Sequence, residues 1–304
     1  MLNTVFHPER YLGKRKKKNY FEGWYFRSGG DFPFAFIVGV SKSKADAHSF
    51  IQYLDGQHAL FFRFPVEDFS FQKENMTVRI QDNVFSLQGC RVDIRQVENS
   101  VKADIVFSDM VRFRKTLFAP SVMGPFVFAP MPCRHEVISL RHGVRGRVTV
   151  NDSHYAVDTK GYIEKDFGHK FPENYIWMQA FAGDTSIISA IAWPLTFNMR
   201  GFLCLVLHNG KQYNFSLYNG TKLNVTELTP EKAAYSLRKG KNSLDIDITN
   251  NEFVKTLLSP VKGGTMTGTI QENLCASLKV KLVLNDEAVE LPDSLPCAFD
   301  SCIL

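Results

Sequence analysis

Residues 161–179 read Gly161-Tyr-Ile-Glu164-Lys165-Asp166-Phe-Gly168-His169-Lys170-Phe-Pro172-Glu-Asn-Tyr175-Ile-Trp177-Met-Gln179. Glu164, Asp166, His169, Trp177 and Gln179 share this short span with two glycines and a proline. Sheet-forming sequence lies on both sides. Such a mix where the chain must turn points to chemistry more than to packing. In an extended strand Glu164 and Asp166 fall on one face and Lys165 on the other.

Working outward, the Trp177 stretch has a counterpart. Trp24 and Trp177 stand 153 positions apart, and so do Gly30-Asp31 and Gly183-Asp184. In each place a tryptophan opens a strand, a Gly-Asp turn closes it and an apolar strand follows. Half the chain separates the copies, which predicts an internal duplication.

The rest of the sequence agrees with sheet. Upstream, β-branched and aromatic runs at 21–27, 34–41, 48–53 and 59–64 are separated by Gly29-Gly30-Asp31, the 42–46 stretch and Asp55-Gly56. Val92-Asp-Ile-Arg95 and Val101-Lys-Ala-Asp104 alternate apolar with polar, as sheets with one wet face do. Residues 118–134 hold Pro120, Pro125, Pro130 and Pro132 among Met and Phe. That is too proline-rich for a helix or a central strand, so a loop over a cavity mouth or between sheets is expected. Downstream, His208-Asn-Gly-Lys211 and Tyr218-Asn-Gly-Thr221 read as tight hairpins. No long helical period is present. The expected fold is all-β: two tandem antiparallel barrels or sandwiches. A basic arm over 1–19, an N-terminal domain over 20–160 and a C-terminal domain over 161–304 are expected.

Composition narrows the function. The chain has 304 residues, 44% of them hydrophobic, and 26 Phe, which suits wide aromatic faces or an apolar cavity. The net charge of +5 is local. Arg10, Lys14, Arg15, Lys16, Lys17 and Lys18 face Glu9 alone, and no basic stripe follows, so a nucleic-acid partner is not expected. The run Lys14, Arg15, Lys16, Lys17, Lys18 is either a solvated arm or a peripheral contact with anionic membrane. Six cysteines are scattered without a Cys-x-x-Cys pair, as thiols in a reducing cytoplasm would be. No leader-like or membrane-spanning apolar run is evident. Phosphate-loop, dinucleotide and nucleophile-elbow motifs are absent. His135 near Cys133 lacks further ligands in sequence, so no metal is expected.

Several motifs occur in a shared order: Tyr20-Phe-Glu22-Gly-Trp24-Tyr25-Phe, Ser49-Phe-Ile-Gln52, Met123-Gly-Pro-Phe126, Cys133-Arg-His135, then Gly161-Tyr-Ile-Glu164-Lys-Asp166-Phe-Gly168 with Phe171-Pro172 and Trp177-Met-Gln179. Together they resemble the tocopherol cyclase-like family over residues 20 to 179. The resemblance implies paired lipocalin-like units, related to carotenoid hydratase-type proteins, and cofactor-free closure of a prenylated hydroquinone into a chromanol ring. Plant members carry a glycine-rich extension where this chain has Gly168-His169-Lys170, which leaves the substrate open.

That chemistry would need a carboxylic acid to protonate an alkene, aromatic faces to stabilise positive charge, and a polar group to orient the hydroxyl. Glu164 and Asp166, two carboxyls sharing a pocket, are the catalytic candidates. Glu22, Trp24, Tyr25, His135, His169, Tyr175, Trp177 and Gln179 are the substrate-binding candidates. Each has a structural alternative: an ion pair for the acids, a strand lock for Glu22, barrel plugs for the tryptophans, a surface loop for His169. The competing function on the same fold is a non-catalytic carrier of a lipid or isoprenoid.

Overall fold

The computed structural model describes residues 7–16, 18–44, 46–193 and 200–303; Lys17 of the basic run lies outside them. Two compact units emerge: residues Met1–Phe171 with Leu257–Gly268, and residues Pro172–Thr256 with Thr269–Leu304.

The first unit holds β1 (Phe21–Ser28), β2 (Phe34–Lys42), β3 (Ala47–Asp55), β4 (Ala59–Pro65), β5 (Phe69–Gln72), β6 (Thr77–Ile80), β7 (Asn83–Ser86), β8 (Gly89–Arg95), β9 (Ser100–Val111), β10 (Cys133–Val150) and β11 (Ser153–Gly168). Its strand order is β4-β3-β2-β1-β11-β10-β9-β8-β7-β6-β5. The second sheet is built from β12 (Asn174–Ala182), β13 (Thr185–Trp193), β14 (Gly201–His208), β15 (Lys211–Ser216), β16 (Lys222–Leu228), β17 (Lys232–Lys239), β18 (Asn242–Thr249), β19 (Lys255–Pro260), β20 (Met266–Leu284), β21 (Glu287–Val289) and β22 (Leu295–Cys302), with most of β19 and the start of β20 counted in the first unit. The order there is β15-β14-β13-β12-β22-β20-β18-β17-β16, with β19 and β21 paired to β20. The pairings along both strand orders are antiparallel. The helical pieces among the described residues are 3-10 turns of three to five residues. The expected all-β, tandem lipocalin-like architecture is what the chain adopts.

The two sheets share one plan. Each starts with a meander of four strands, and the last strand of the unit returns to pair with the first: β11 with β1, β22 with β12. The tryptophans mark the same strand in each copy, facing Lys165 in one and Asp300 in the other. They do not mark the same face. Trp24 is fully buried in the first core with Phe26, Phe36 and Val38. In β12 it is Ile176, Met178 and Ala180 that enter the second core, so Trp177 points the other way. Side chains alternate along a strand, so an offset of one residue inverts the assignment.

Two further differences from the sequence reading have local causes. The Asn209-Gly210 turn does join β14 to β15, with both residues at positive φ. Asn219-Gly220 instead ends a 3-10 turn capped by Ser216, and it separates the two edge strands β15 and β16. The boundary expected after residue 160 falls inside β11, whose end pairs with β1 and β10; the division lies at Phe171–Pro172.

Residues 7–13 are not a solvated arm. Glu9 is buried, and Trp24 Nε1 donates to its backbone oxygen at 3.0 Å. Tyr11 packs on Trp24 and Phe69. Lys14, Arg15, Lys16 and Lys18 are exposed beyond this tucked segment.

Candidate active site

The β1–β11–β10 ladder sorts the functional candidates onto two faces. Trp24 pairs with Lys165, Tyr25 with Glu164, and His135 with Asp166. Glu22, Trp24 and Lys165 therefore share the face of the first core. Tyr25, His135, Glu164 and Asp166 share the opposite face. A close approach closes this corner: a Cβ on Gly168 would sit 2.1 Å from the Pro132 carbonyl oxygen, and that oxygen accepts from His169 N at 2.9 Å.

On the core face the groups are tied into the fold. The Glu22 carboxylate accepts from Leu12 N at 3.0 Å, Gly13 N at 3.0 Å and Tyr20 Oη at 2.7 Å, and Lys165 Nζ donates to it at 3.0 Å. Both Glu22 and Lys165 are fully buried. Lys165 Nζ also donates to Arg10 O and lies 4.8 Å from the centre of the Phe167 ring. Trp24 is stacked on Phe69 and Phe71. Glu22 thus has its lone pairs engaged, and Trp24 has both faces covered.

On the other face His135 lies between two carboxylates. Its Nδ1 is 3.2 Å from Asp166 Oδ1 and its Nε2 is 3.5 Å from Glu164 Oε2. Burial disfavours the charged imidazole, but Glu164 and Asp166 together outweigh it and raise the His135 pKa to about 9. The imidazole therefore carries its proton at neutral pH. Tyr162, fully buried, donates to Glu164 Oε2 at 2.6 Å. Cys133 Sγ is 3.8 Å from Asp166 Oδ1, and burial pushes this thiol well up. Met123 Sδ accepts from His135 N at 3.3 Å, so the proline-rich segment lies directly on the site.

His135, Glu164 and Asp166 offer donor atoms within 4.8 Å of one another, enough to hold a divalent cation. This set was not visible in sequence, where His135 had only Cys133 nearby. One ring nitrogen, Nδ1, is hydrogen-bonded to Asp166, while Nε2 stands within ion-pair distance of Glu164 and has no hydrogen-bond partner among the described residues. A ligating imidazole would turn one nitrogen to an ion that both carboxylates also reach.

His169 is not brought to the trio. Its side chain is exposed, and its backbone oxygen accepts from Gly264 N. Tyr175, Trp177 and Gln179 belong to the second unit, where they share one face of β12. Tyr175 Oη donates to Asp300 Oδ2 at 2.9 Å, and Gln179 Nε2 donates to Ala180 O at 3.1 Å. Three participants were missed: Tyr162 beside Glu164, Lys165 as the buried anchor, and the Glu9–Gly13 segment. Tyr162 has the parity of Glu164 and Asp166, a signal that period-two reading could have caught.

No protein-family profile and no curated protein sequence matches the chain. Solved structures do. CghA aligns with a TM-score of 0.60 at 10% identity, over 93% of this chain and 87% of that one. The structure of CghA with Sch210972 aligns at 0.57 and 11% identity over the same shares. An AttH protein from Nitrosomonas europaea aligns at 0.54 and 11%, over 92% and 91%. The likeness is one of fold. It spans both units, and at this identity it carries no residue roles.

Proposed function

We propose that this chain is an acid–base enzyme of the isomerase or lyase type, acting on a hydrophobic isoprenoid-bearing substrate at the His135–Glu164–Asp166 trio. The observation that carries this reading is the imidazole placed between two carboxylates, whose charges favour its protonated form, on a sheet face away from the core.

For a prenylated quinol the balance is complete without a further reactant. His135 gives its proton to the alkene carbon, the phenol oxygen bonds to the other alkene carbon, and Glu164 or Asp166 takes the phenol proton. One C–H and one C–O bond form as one O–H and one π bond break. The carboxylate proton then returns to His135. A donor of pKa about 9 is too weak to make a free tertiary cation. In this reading protonation is therefore coupled to oxygen attack, with the base beside the acid. Trp24 is not needed as a cation-stabilising face, in keeping with its burial in the first core.

The test is turnover of a prenylated hydroquinone under argon in heavy water. One non-exchangeable deuterium in a product of shifted retention is expected, with loss of turnover and retained ligand affinity in His135→Gln. Ligand binding without product, in wild type and variant alike, would move the protein to the carrier reading.

A further inference from the structure

The segment between β9 and β10 has features that the acid trio does not use. From residue 110 to residue 135 the chain holds no carboxylate, while Arg112, Arg114, Lys115 and Arg134 supply four cations. Leu117 and Phe118 sit at its tip, 89% and 80% exposed. A loose loop does not explain that exposure. Thr116 N donates to Ala119 O at 3.0 Å, and Ala119 N donates back to Thr116 O at 3.2 Å and to Thr116 Oγ1 at 3.0 Å. Ala119, Ser121 and Val122 behind the tip are buried. The turn is tied at its base and holds two large apolar side chains in water.

The pattern extends along the segment. Phe126 and Phe128, on the 3-10 turn Gly124–Phe128, are also exposed. Half of the exposed large apolar residues among the described residues therefore fall within a dozen positions. Scattered exposure of that kind is ordinary, but concentration marks an interaction surface. Arg112 and Arg114 are exposed on the approach to the tip. An apolar tip approached by the exposed Arg112 and Arg114 is complementary to an anionic bilayer, where the cations meet headgroups and the tip enters the acyl boundary. The Lys14–Lys18 run supplies charge but no apolar residue, and a single weak signal gives only marginal binding.

We propose that the Leu117–Phe118 turn, with Arg112, Arg114 and Lys115 at its base, is a docking element for an anionic lipid surface. It stands independently of the reaction proposed above. Five residues past Phe118, Met123 Sδ accepts from His135 N, so the same segment reaches the candidate site.

The experiment is flotation of the full chain with vesicles of phosphatidylcholine alone or containing about one-third phosphatidylserine. Recovery with the anionic vesicles is expected, weakening as salt rises. Leu117→Ser with Phe118→Ser should lower the partition coefficient roughly tenfold. Arg112→Gln with Arg114→Gln should lower it and flatten the salt dependence. Circular dichroism and thermal unfolding confirm that each variant folds. The proposal fails if wild-type protein ignores both vesicle types, or if the tip variant binds as wild type does. It fails equally if neutralising Lys14–Lys18 alone abolishes binding, or if wild type is a dimer that the tip variant dissociates and no vesicle binding occurs.

Discussion

Glu22 and Lys165 form a fully buried ion pair, 3.0 Å apart, across the seam where the last strand of the first unit returns to its first. Lys165 is the residue between Glu164 and Asp166. Fixing it toward the core fixes its two neighbours toward the opposite face. The pair is thus a positioning device for the acids as well as a closure of the sheet.

Removing one partner leaves a buried charge alone. Glu22→Gln should destabilise the first unit by about 3–5 kcal/mol in urea unfolding. Lys165→Met should cost a similar amount. The double variant should lose clearly less than the sum, because neither charge is then stranded. Additive losses would show that the two residues do not act as a pair.

His135 gives a pH signature with a definite sign. Its folded pKa of about 9 lies above the ordinary histidine value of 6.5, so the charged form stabilises the fold. That contribution is fully present below about pH 6.5 and lost as pH rises through about 9. Its size is on the order of 3 kcal/mol. The stability gap between wild type and His135→Gln should therefore be widest near pH 6 and close by pH 10. Turnover should fall along a basic limb near the same value, whereas a limb near pH 6.5 would remove the carboxylates' hold on the imidazole.

Glu136, the next residue, faces the opposite side and behaves in the opposite sense to an ordinary surface acid. Burial raises its pKa to about 7, from 4.5. Its Oε1 has no hydrogen-bond partner among the described residues. The neutral form suits the fold, so stability is lost as pH rises from 4.5 through about 7. Glu136→Gln should be neutral at pH 4 and stabilising by up to about 3 kcal/mol at pH 8, read from thermal unfolding at the two values.

Chelation separates the two chemistries open to the trio. If His135 works as an imidazolium, dialysis against a chelator leaves turnover of a prenylated quinol unchanged. Loss of turnover that a divalent cation restores would reassign His135, Glu164 and Asp166 as ligands.

Much of the fold was legible because antiparallel sheet writes itself in period two and in turn residues. The runs that form β1, β2, β3 and β4 are readable that way, as is the shared face of Glu164 and Asp166. Registers between distant strands were not readable. His135 meets Asp166 only because β10 pairs with β11 across two irregularities near Ser139. The capture of Glu22 by Leu12 and Gly13 was hidden for a different reason. A segment rich in Lys and Arg reads as solvated, yet its backbone amides, not its charges, do the binding. The Trp24–Trp177 repeat showed the plan of both sheets but not the parity of each, which is decided by what the core admits.

The short segment Leu257–Gly268 belongs to the first unit, although it follows most of the second in sequence. Leu258 exchanges two hydrogen bonds with the Gln52 side chain, and Gly264 O accepts from Ser41 Oγ. On the ribosome this imposes an order of events. The first unit has all eleven of its main strands once β11 emerges, but about a hundred further residues must be made before Gln52 and Ser41 find their partners. At about 5–20 residues per second that is a wait of roughly 5 to 20 seconds in which Gln52 and Ser41 lack these partners. The nascent first half must be held in a nearly finished state until the second half supplies its last piece.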